Sequence, residues 1–194
     1  MAPHSLIGLS GALGSGKTTI ANRLVSAHKF TAIGVADALK EEVIRCFPGL
    51  LALEVEYWLG DALREGYTTL PEAIEHLVWV QKPPRVRLLL QEFGSGVRRA
   101  DDPDYWVHRW LKRASLILES GRGVVAHDIR FPNEAQMIRG LHGRLIKVLR
   151  PGYDGDDHQS ERALDTWEDW DCVVVNDGTL DELVLEADRL VEES

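Results

Sequence analysis

Hydrophobic positions form short, nearly continuous runs toward both ends of the chain and a helical repeat in its middle. Runs of four to six mostly apolar residues indicate buried strands. Because helical segments separate these runs, the pattern predicts an α/β fold with a parallel sheet covered on both faces. The five predicted strands are Leu6–Leu9, Phe30–Val35, Gly123–His127, Arg144–Leu149 and Cys172–Val175.

Helical signals follow each predicted strand except the fourth, which is followed by a polar loop. Capping residues, prolines and glycines suggest where these helices begin and end. The predicted helices cover Thr19–Leu24, about 38–46 with an end at Pro48-Gly49, a segment starting near Pro132, and 180–191 with Thr179 as the N-cap.

Residues 50–119 contain no convincing strand. Apolar side chains there recur at helical spacing, as at Leu53, Tyr57 and Trp58. The pattern predicts one domain over residues 1–194, with a core of about 1–47 and 120–194 and a helical insertion of about 48–119. Breaks in the insertion are expected at Pro71, Pro83-Pro84, Gly94-Ser95-Gly96 and Asp101-Asp102-Pro103.

Residues 11–18 read Gly-Ala-Leu-Gly-Ser-Gly-Lys-Thr and fit the phosphate-binding pattern G-x-x-x-x-G-K-[ST] between a predicted strand and a helix. Glycines let successive N–H groups turn toward phosphate oxygens, and the helix N-terminus faces the same anion. Lys17 is expected to reach the β- and γ-phosphates of ATP, and the Thr18 hydroxyl to bind Mg²⁺. The expected nucleotide contacts are Gly11, Gly14, Ser15, Gly16, Lys17, Thr18 and Thr19.

Acidic residues outnumber basic ones, and the formal net charge is −9. Proteins that coat nucleic acid usually carry a broad basic surface, so this balance disfavours stable nucleic-acid binding. No apolar run approaches the roughly 20 residues of a membrane span, and no signal peptide is indicated. Cys46 and Cys172 form neither a metal motif nor a disulfide framework. We therefore expect a cytoplasmic protein that acts on small phosphorylated molecules.

A second constellation, His127–Ala135, directly follows a predicted strand. The carboxyl ends of strands form the ligand crevice in open α/β folds. Asp128 could hold Mg²⁺ there, and Arg130 could grip a phosphate with both arms of its guanidinium. The alternative is an ordinary surface salt bridge between these two residues at the start of a helix.

A third constellation lies in the helical insertion. Arg87 and Gln91 are four residues apart and share a helix face, where a guanidinium could hold a phosphate and an amide could read a base edge. A solvated basic face is the alternative. The cluster comprises Arg85, Arg87, Gln91, Arg98 and Arg99.

The polar segment 152–159 lacks periodicity and predicts a mobile lid of about 150–162. Kinases bring arginines onto the transferred phosphoryl group when a lid closes. Arg162 is the preferred lid arginine and Arg150 the second choice, whereas His158 fits a structural role better than a catalytic one.

Together these segments resemble the deoxynucleoside monophosphate kinases of tailed bacteriophages. The resemblance extends over nearly the whole chain, and its most specific element is Asp-Ile-Arg-Phe-Pro-Asn-Glu-Ala at 128–135. After Gly94 this chain has Ser95-Gly96, where family members tend to carry Thr-Glu. The other matching segments are 11–18, Ala36–Glu41, Leu90–Gly94 with Arg99, His158–Glu161 and Asn176–Leu180.

This resemblance implies a P-loop kinase fold and transfer of the ATP γ-phosphate to a deoxynucleoside 5′-monophosphate in the cytoplasm of an infected bacterium. It also implies that the insertion binds the acceptor and that the turn with Asn176 and Gly178 lies near the adenine. The residues expected at the acceptor are Asp37, Lys40, Arg87, Gln91, Arg98 and Arg99.

A monophosphate acceptor needs no general base, because its second pKa is about 6 and the attacking oxygen is already ionised at neutral pH. Catalysis would then consist of positioning and charge neutralisation by Lys17, Mg²⁺, Arg130 and Arg162. One alternative is a kinase that phosphorylates a hydroxyl, as in dephospho-coenzyme A or a hydroxymethylated base, with Asp37 as the base. Another is a regulatory P-loop NTPase, which the lack of a guanine-reading Asn-Lys-x-Asp motif disfavours.

The oligomeric state has two interpretations at the level of sequence. Trp58, Trp79 and Trp106 all lie in the insertion, where they could form a helical core or one face of a homodimer.

Overall fold

The computed structural model describes residues 5–59, 69–153 and 162–192. The central part of the predicted lid, including His158–Glu161, lies outside the described residues. The described residues belong to two compact units, the first from residues 1–35 and 107–194 and the second from residues 36–106.

Five parallel strands form the sheet of the first unit, in the order β2-β3-β1-β4-β5. Leu6 of the first strand is in register with Val124 on one side, and Ile7 with Arg144 on the other. The predicted five-stranded parallel sheet is therefore confirmed. The strands are β1 (Leu6–Ser10), β2 (Phe30–Ala32), β3 (Gly123–Ala126), β4 (Arg144–Leu149) and β5 (Cys172–Val175).

Helices make up most of the remaining described residues. The helices in the middle of the chain agree with the helical repeat predicted there. In chain order they are α1 (Lys17–His28), α2 (Asp37–Cys46), α3 (Pro48–Leu59), α4 (Leu70–His76), α5 (Pro84–Gln91), α6 (Tyr105–Glu119), α7 (Pro132–Gly140) and α8 (Leu180–Glu192). Two π-helical segments, Leu77–Gln81 and Glu92–Arg98, continue α4 and α5, and the second leads into the short helix Arg99–Asp101.

One face of the sheet is covered by α1 and α8. Ile20 and Leu24 of α1 and Leu183 of α8 are buried in a single cluster with alternate side chains of β1. The opposite face is covered by α7, because a Cβ added at Gly8 would lie 3.0 Å from Ile138. Since successive strand residues point to opposite faces, β1 is buried on both sides, as its continuous apolar sequence indicates.

The predicted start of the last helix is confirmed at the level of its hydrogen bonds. The Thr179 hydroxyl accepts from the Glu182 N–H at 3.3 Å, and the Glu182 carboxylate accepts from the Thr179 N–H at 2.6 Å. This reciprocal cap satisfies two N–H groups at the helix start.

The second strand is shorter than predicted, ending at Ala32 instead of Val35. Ile33 still donates to the Val125 carbonyl at 3.0 Å, but the Val35 N–H turns to the carboxylate of Asp128 at 2.6 Å. A side-chain acceptor thus replaces the strand ladder at the point where β2 would have continued.

The second unit has its own buried core, which includes Leu51 of α3, Leu77 and Val86. The helix break predicted at Gly94-Ser95-Gly96 is wrong, because these residues lie within the π-helical segment Glu92–Arg98. A Cβ at Gly94 would lie 2.7 Å from Leu39, so this glycine permits close packing and does not end the helix.

Prolines at other predicted breaks lie at the starts of helices. Pro71 and Pro84 stand in the first turns of α4 and α5, where a missing N–H costs no helical hydrogen bond. The helix end predicted before Pro48-Gly49 is present, since α2 ends at Cys46. Pro48 is then the first residue of α3. A proline here separates two helices without an intervening loop.

The three tryptophans of the predicted insertion differ in burial. Trp106 is 2% exposed and donates to the Gly94 carbonyl at 2.9 Å, so it is a core residue of the second unit. Trp58 is 42% exposed on α3, and Trp79 is half-buried. The homodimer stays a prediction. Among the described residues, no helix combines the length and apolar character needed to cross a membrane.

Candidate active site

The loop between β1 and α1 has a backbone that only glycine adopts easily at three positions. Gly11, Gly14 and Gly16 have φ values of 144°, 79° and 112°. A Cβ at Gly11 would overlap the carbonyl oxygen of Val148, and one at Gly16 would lie 2.8 Å from Leu183. The sequence motif therefore folds into a tight loop that ends at the N-terminus of α1, a geometry suited to an anion.

The ammonium group of Lys17 turns back onto this loop. Its Nζ donates to the carbonyls of Gly11 at 2.6 Å and Ala12 at 2.7 Å, and lies 3.4 Å from the Ser15 hydroxyl. Burial and the nearby Arg130 lower the pKa of Lys17 to about 8, although Asp128 opposes the shift. Two cations close together in a partly buried place repel each other, and a bound anion would stabilise both of them.

Asp128 and Arg130 follow the end of β3, as the sequence predicts. Asp128 is held by the Val35 N–H, and the Ile129 N–H donates to the Leu9 carbonyl at 3.0 Å. These bonds fix the segment beside the carboxyl ends of β1 and β2. Because Ile129 bonds Leu9 at the end of β1 and Lys17 bonds Gly11 just after it, the Asp128 segment and Lys17 lie at the same end of the sheet.

Glu134 is a residue whose contribution sequence reasoning missed. It is 2% exposed, and its carboxylate accepts from the N–H groups of Arg130 at 2.8 Å and Phe131 at 3.1 Å. The signal was available, since a Glu three residues after a helix N-cap commonly bonds back to the chain. Glu134 therefore orients the backbone that carries Arg130.

The turn after β5 contacts the phosphate-binding loop. The Asn176 side chain donates to the Ser15 carbonyl at 2.9 Å and would lie 2.8 Å from a Cβ at Gly16. Gly178 and Asn176 also line a cavity of about 330 Å³ that extends along α8 to Arg189. This is the turn that the resemblance places near the adenine.

The two lid arginines have different settings. Arg150 donates from one guanidinium nitrogen to the Gly14 carbonyl at 3.1 Å, so it lies beside the phosphate-binding loop. Arg162 is exposed at the start of the last described stretch, and its role stays a prediction. Thr18 is exposed and Thr19 half-buried in the first turn of α1.

Within the second unit, Asp37 and Lys40 form an ion pair at the start of α2. Lys40 Nζ lies 3.0 Å from the Asp37 carboxylate and 4.4 Å from the centre of the Trp79 ring. Trp79, in the first π-helical segment, was not identified as a contact of Lys40 from the sequence. Its indole face and the Asp37 carboxylate fix the position of this ammonium group.

The other arginines of the predicted acceptor cluster have exposed or half-buried positions. Arg87 is exposed on α5 and donates to the Lys82 carbonyl at 2.8 Å, with half-buried Gln91 one turn further along the helix. Arg99 is half-buried, with its guanidinium 3.5 Å from the Pro103 carbonyl. Arg85 pairs with the buried Glu54 at 3.3 Å.

Arg98 differs from its neighbours because its guanidinium bonds the fully buried carboxylate of Glu42. It also lies 5.2 Å from the ring centres of Phe93 and Tyr105. Glu42 occupies a position that the helical pattern of α2 turns inward, which is the signal that sequence reasoning missed. This pairing holds the half-buried Arg98 guanidinium against the buried Glu42 carboxylate.

Comparison with known proteins adds independent information. A family profile described as deoxynucleotide monophosphate kinase matches residues 51–186, a range that begins after the phosphate-binding loop. A relative described as a putative deoxynucleotide monophosphate kinase, from Acanthamoeba polyphaga mimivirus, is 34% identical over an alignment of 186 residues that covers 91% of each chain. The deoxynucleotide monophosphate kinase of Escherichia phage RB69 is 30% identical over 130 residues, covering 64% of this chain and 51% of that protein.

A solved structure, the dephospho-CoA kinase from Campylobacter jejuni, is similar over 99% of this chain and 98% of its own, with a TM-score of 0.49 and 14% identity. Similarity at that level does not bear on the reaction. The family profile covers more than half of the chain, and the mimivirus relative matches it over nearly its full length. These matches confirm the resemblance inferred from the motifs, and the chain belongs to the deoxynucleotide monophosphate kinase family.

Proposed function

We propose that this enzyme transfers the γ-phosphoryl group of ATP to the phosphate of a deoxynucleoside 5′-monophosphate. The observation that carries the proposal is the convergence of Lys17, Arg130 and Asp128 at a glycine-built loop, in a chain of this kinase family. Phosphoryl transfer needs charge neutralisation and positioning more than covalent chemistry, and these side chains supply both.

The loop and its cations fit the phosphates of a nucleotide. The lowered pKa of Lys17 reflects a cation held in a partly buried place beside Arg130. Phosphate oxygens would compensate both charges, and the N–H groups at the start of α1 would add to the same interaction. Lys17 and Arg130 would then stabilise the negative charge of the transferred group.

The oxygen groups of Thr18 and Asp128 fit Mg²⁺. Among the described residues no group of three or more His, Cys, Asp or Glu side chains is placed to hold a metal ion. One carboxylate and one hydroxyl suit a hard cation that keeps several waters and binds mainly to substrate phosphates. When bound there, Mg²⁺ would supply positive charge that neutralises the phosphates.

For the acceptor, we assign the phosphate to Lys40, Arg87 and Arg99 of the second unit and the base edge to Gln91. The assignment is supported by the accessibility of Arg87 and by the position of Gln91 one helical turn away on α5. Arg98 is left out, because its guanidinium bonds Glu42. Asp37 holds Lys40, which supports a role in acceptor binding rather than as a base.

The same proposal places Arg162 in the lid, Asn176 and Gly178 near the adenine, and the enzyme in the cytoplasm of an infected cell. The viral origin of the relatives supports the last point. No general base is needed, since the acceptor phosphate is largely ionised at neutral pH.

The test is a coupled assay of ADP release with Mg-ATP and each of dCMP, dTMP, dGMP and dAMP. Identification of the diphosphate by ³¹P NMR shows where the phosphoryl group goes. Dephospho-coenzyme A and an acceptor-free sample are the controls for a hydroxyl kinase and for a slow NTPase. ADP release that is equal with and without every monophosphate would contradict the proposal.

A further inference from the structure

The four residues Arg150–Tyr153 form a tight turn directly after β4. The Tyr153 N–H donates to the Arg150 carbonyl at 3.1 Å, and Gly152 has a φ of 77°. Proline at the second position and a positive φ at the third are typical of a type II turn. Pro151 and Gly152 thus favour this conformation locally, before any ligand is present.

The turn places the first and last side chains against each other. The Arg150 guanidinium carbon lies 4.2 Å from the centre of the Tyr153 ring, within cation–π range. Arg150 also donates to the carbonyl of Gly14 at 3.1 Å. The guanidinium is therefore held by an aromatic face and by the phosphate-binding loop.

The Tyr153 ring also contacts this loop directly. A Cβ at Gly14 would lie 2.8 Å from two carbons of the ring, so the ring rests against the backbone of Gly14. The Arg150–Tyr153 pair and Gly14 make a three-way contact in which each element touches the other two. Tyr153 is nevertheless 43% exposed, so the contact is not explained by burial in the core.

We propose that Tyr153 is a positioning residue that holds the Arg150 guanidinium beside Gly14, ready for the phosphates of the nucleotide. The inference rests on the proposed function for its ligand. Arg150 is a long exposed side chain with many rotamers, and stacking on a rigid ring reduces the freedom that it would lose on binding. Tyr153 acts only through Arg150 and has no contact with the reacting atoms in this role.

The test compares Tyr153→Phe, Tyr153→Leu, Arg150→Ala and the double variant Arg150→Ala/Tyr153→Leu with the wild type. Mg-ATP affinity is measured by calorimetry without acceptor, and KM and kcat with a saturating monophosphate. Tyr153→Leu should weaken ATP binding and raise KM for ATP about two- to fivefold, the factor expected from an exposed cation–π pair. Tyr153→Phe keeps the ring and should match the wild type.

The double variant distinguishes positioning from a direct role. In the Arg150→Ala background, Tyr153→Leu should have no further effect on ATP affinity, and KM for the monophosphate should stay constant in every variant. An undiminished effect of Tyr153→Leu in that background, or a wild-type affinity for ATP in Tyr153→Leu itself, would overturn the inference.

The calorimetric measurement separates this inference from the proposed function. If the wild type binds ATP but forms no ADP with any monophosphate, the acceptor assignment fails, and the variants still report on Tyr153. If the wild type is an active monophosphate kinase and all four variants bind ATP as the wild type does, the roles of Arg150 and Tyr153 both fail while the proposed function stands.

Discussion

Arg98, which is half-buried, donates to the fully buried carboxylate of Glu42 in the second unit. The Tyr105 hydroxyl donates to the other oxygen of the same carboxylate at 2.9 Å, so both oxygens of Glu42 are bound. Hydrogen bonding to Glu42 raises the pKa of Arg98 above its usual value. The Glu42 carboxylate has no access to water and depends on these two partners, because losing one of them leaves a buried group uncompensated.

Arg98→Ala should therefore lower the melting temperature by several degrees. The adjacent Arg99→Ala is the matched control, since it removes the same side chain one position along the chain and leaves the Arg98–Glu42 pair in place. Arg99→Ala should lower the melting temperature less than Arg98→Ala does and should raise KM for the acceptor. Differential scanning calorimetry and steady-state kinetics on both variants check this. An unchanged melting temperature with a raised acceptor KM in Arg98→Ala would instead make Arg98 a substrate contact.

The lowered pKa of Lys17 predicts a pH dependence. In the free enzyme this ammonium loses its proton near pH 8, so kcat/KM for ATP should fall as the pH rises above that value. Bound phosphates favour the charged form, so ATP binding at pH 8.5–9 should take up close to one proton. Calorimetry in buffers of different ionisation enthalpy measures this uptake, and its absence at those pH values would contradict the role of Lys17.

Replacement of Lys17 should separate stability from activity. Because the folded pKa is below that of the unfolded chain, the unfolded state binds more protons between about pH 8 and 10.5, and stability should rise over that range. Lys17→Ala removes this dependence and should keep or raise the melting temperature at pH 7. Its turnover should fall by at least a hundredfold. Turnover within tenfold of the wild type would argue against the phosphate-loop assignment.

Asp128 and Arg130 should respond differently to added metal. Asp128→Asn keeps an oxygen that can accept from the Val35 N–H, so the fold is retained while the affinity for Mg²⁺ falls. Raising Mg²⁺ should restore part of its activity. Arg130→Lys should stay slow at every metal concentration, since an ammonium cannot form the paired bonds of a guanidinium. Equal rescue of both variants by Mg²⁺ would show that this division of roles is wrong.

The acceptor residues should divide into base and phosphate contacts. Gln91→Ala should change the ranking of kcat/KM among dCMP, dTMP, dGMP and dAMP, because each base edge presents a different set of donors and acceptors. Arg87→Ala should weaken all four alike, because the phosphate is common to them. KM for ATP is the internal control in both variants. A uniform loss from Gln91→Ala would assign base recognition to other residues.

Two glycines allow a test of the type II turn. Gly152 and Gly121 have φ values of 77° and 80°, and a Cβ at either would meet no atom within 4 Å. Gly152→Ala and Gly121→Ala should therefore cost similar backbone strain, about 1 kcal/mol each. Only Gly152→Ala should also raise KM for ATP, since it alone disturbs Arg150 and Tyr153. A raised KM for ATP in Gly121→Ala would trace the effect to stability.

Local pattern was sufficient for much of the fold. The five strands, the phosphate-binding loop and the capped start of α8 were all identified from the sequence, because each depends on residues close together in the chain. The parallel sheet followed from the alternation of strands and helices. The position of the Asp128 segment directly after a strand was likewise predicted, and its role as a site stays a prediction.

Contacts between distant residues were decided only by the tertiary structure. In sequence Arg98 resembles its basic neighbours, and only the fold shows that it bonds Glu42. Gly94 likewise resembles a helix break in sequence, and only the fold shows that it packs against Leu39. Tyr153 acquired significance in the same way, through the backbone of Gly14. Propensity and periodicity describe how a segment folds by itself, whereas the partner of a charge or an aromatic ring depends on which segments the fold brings together.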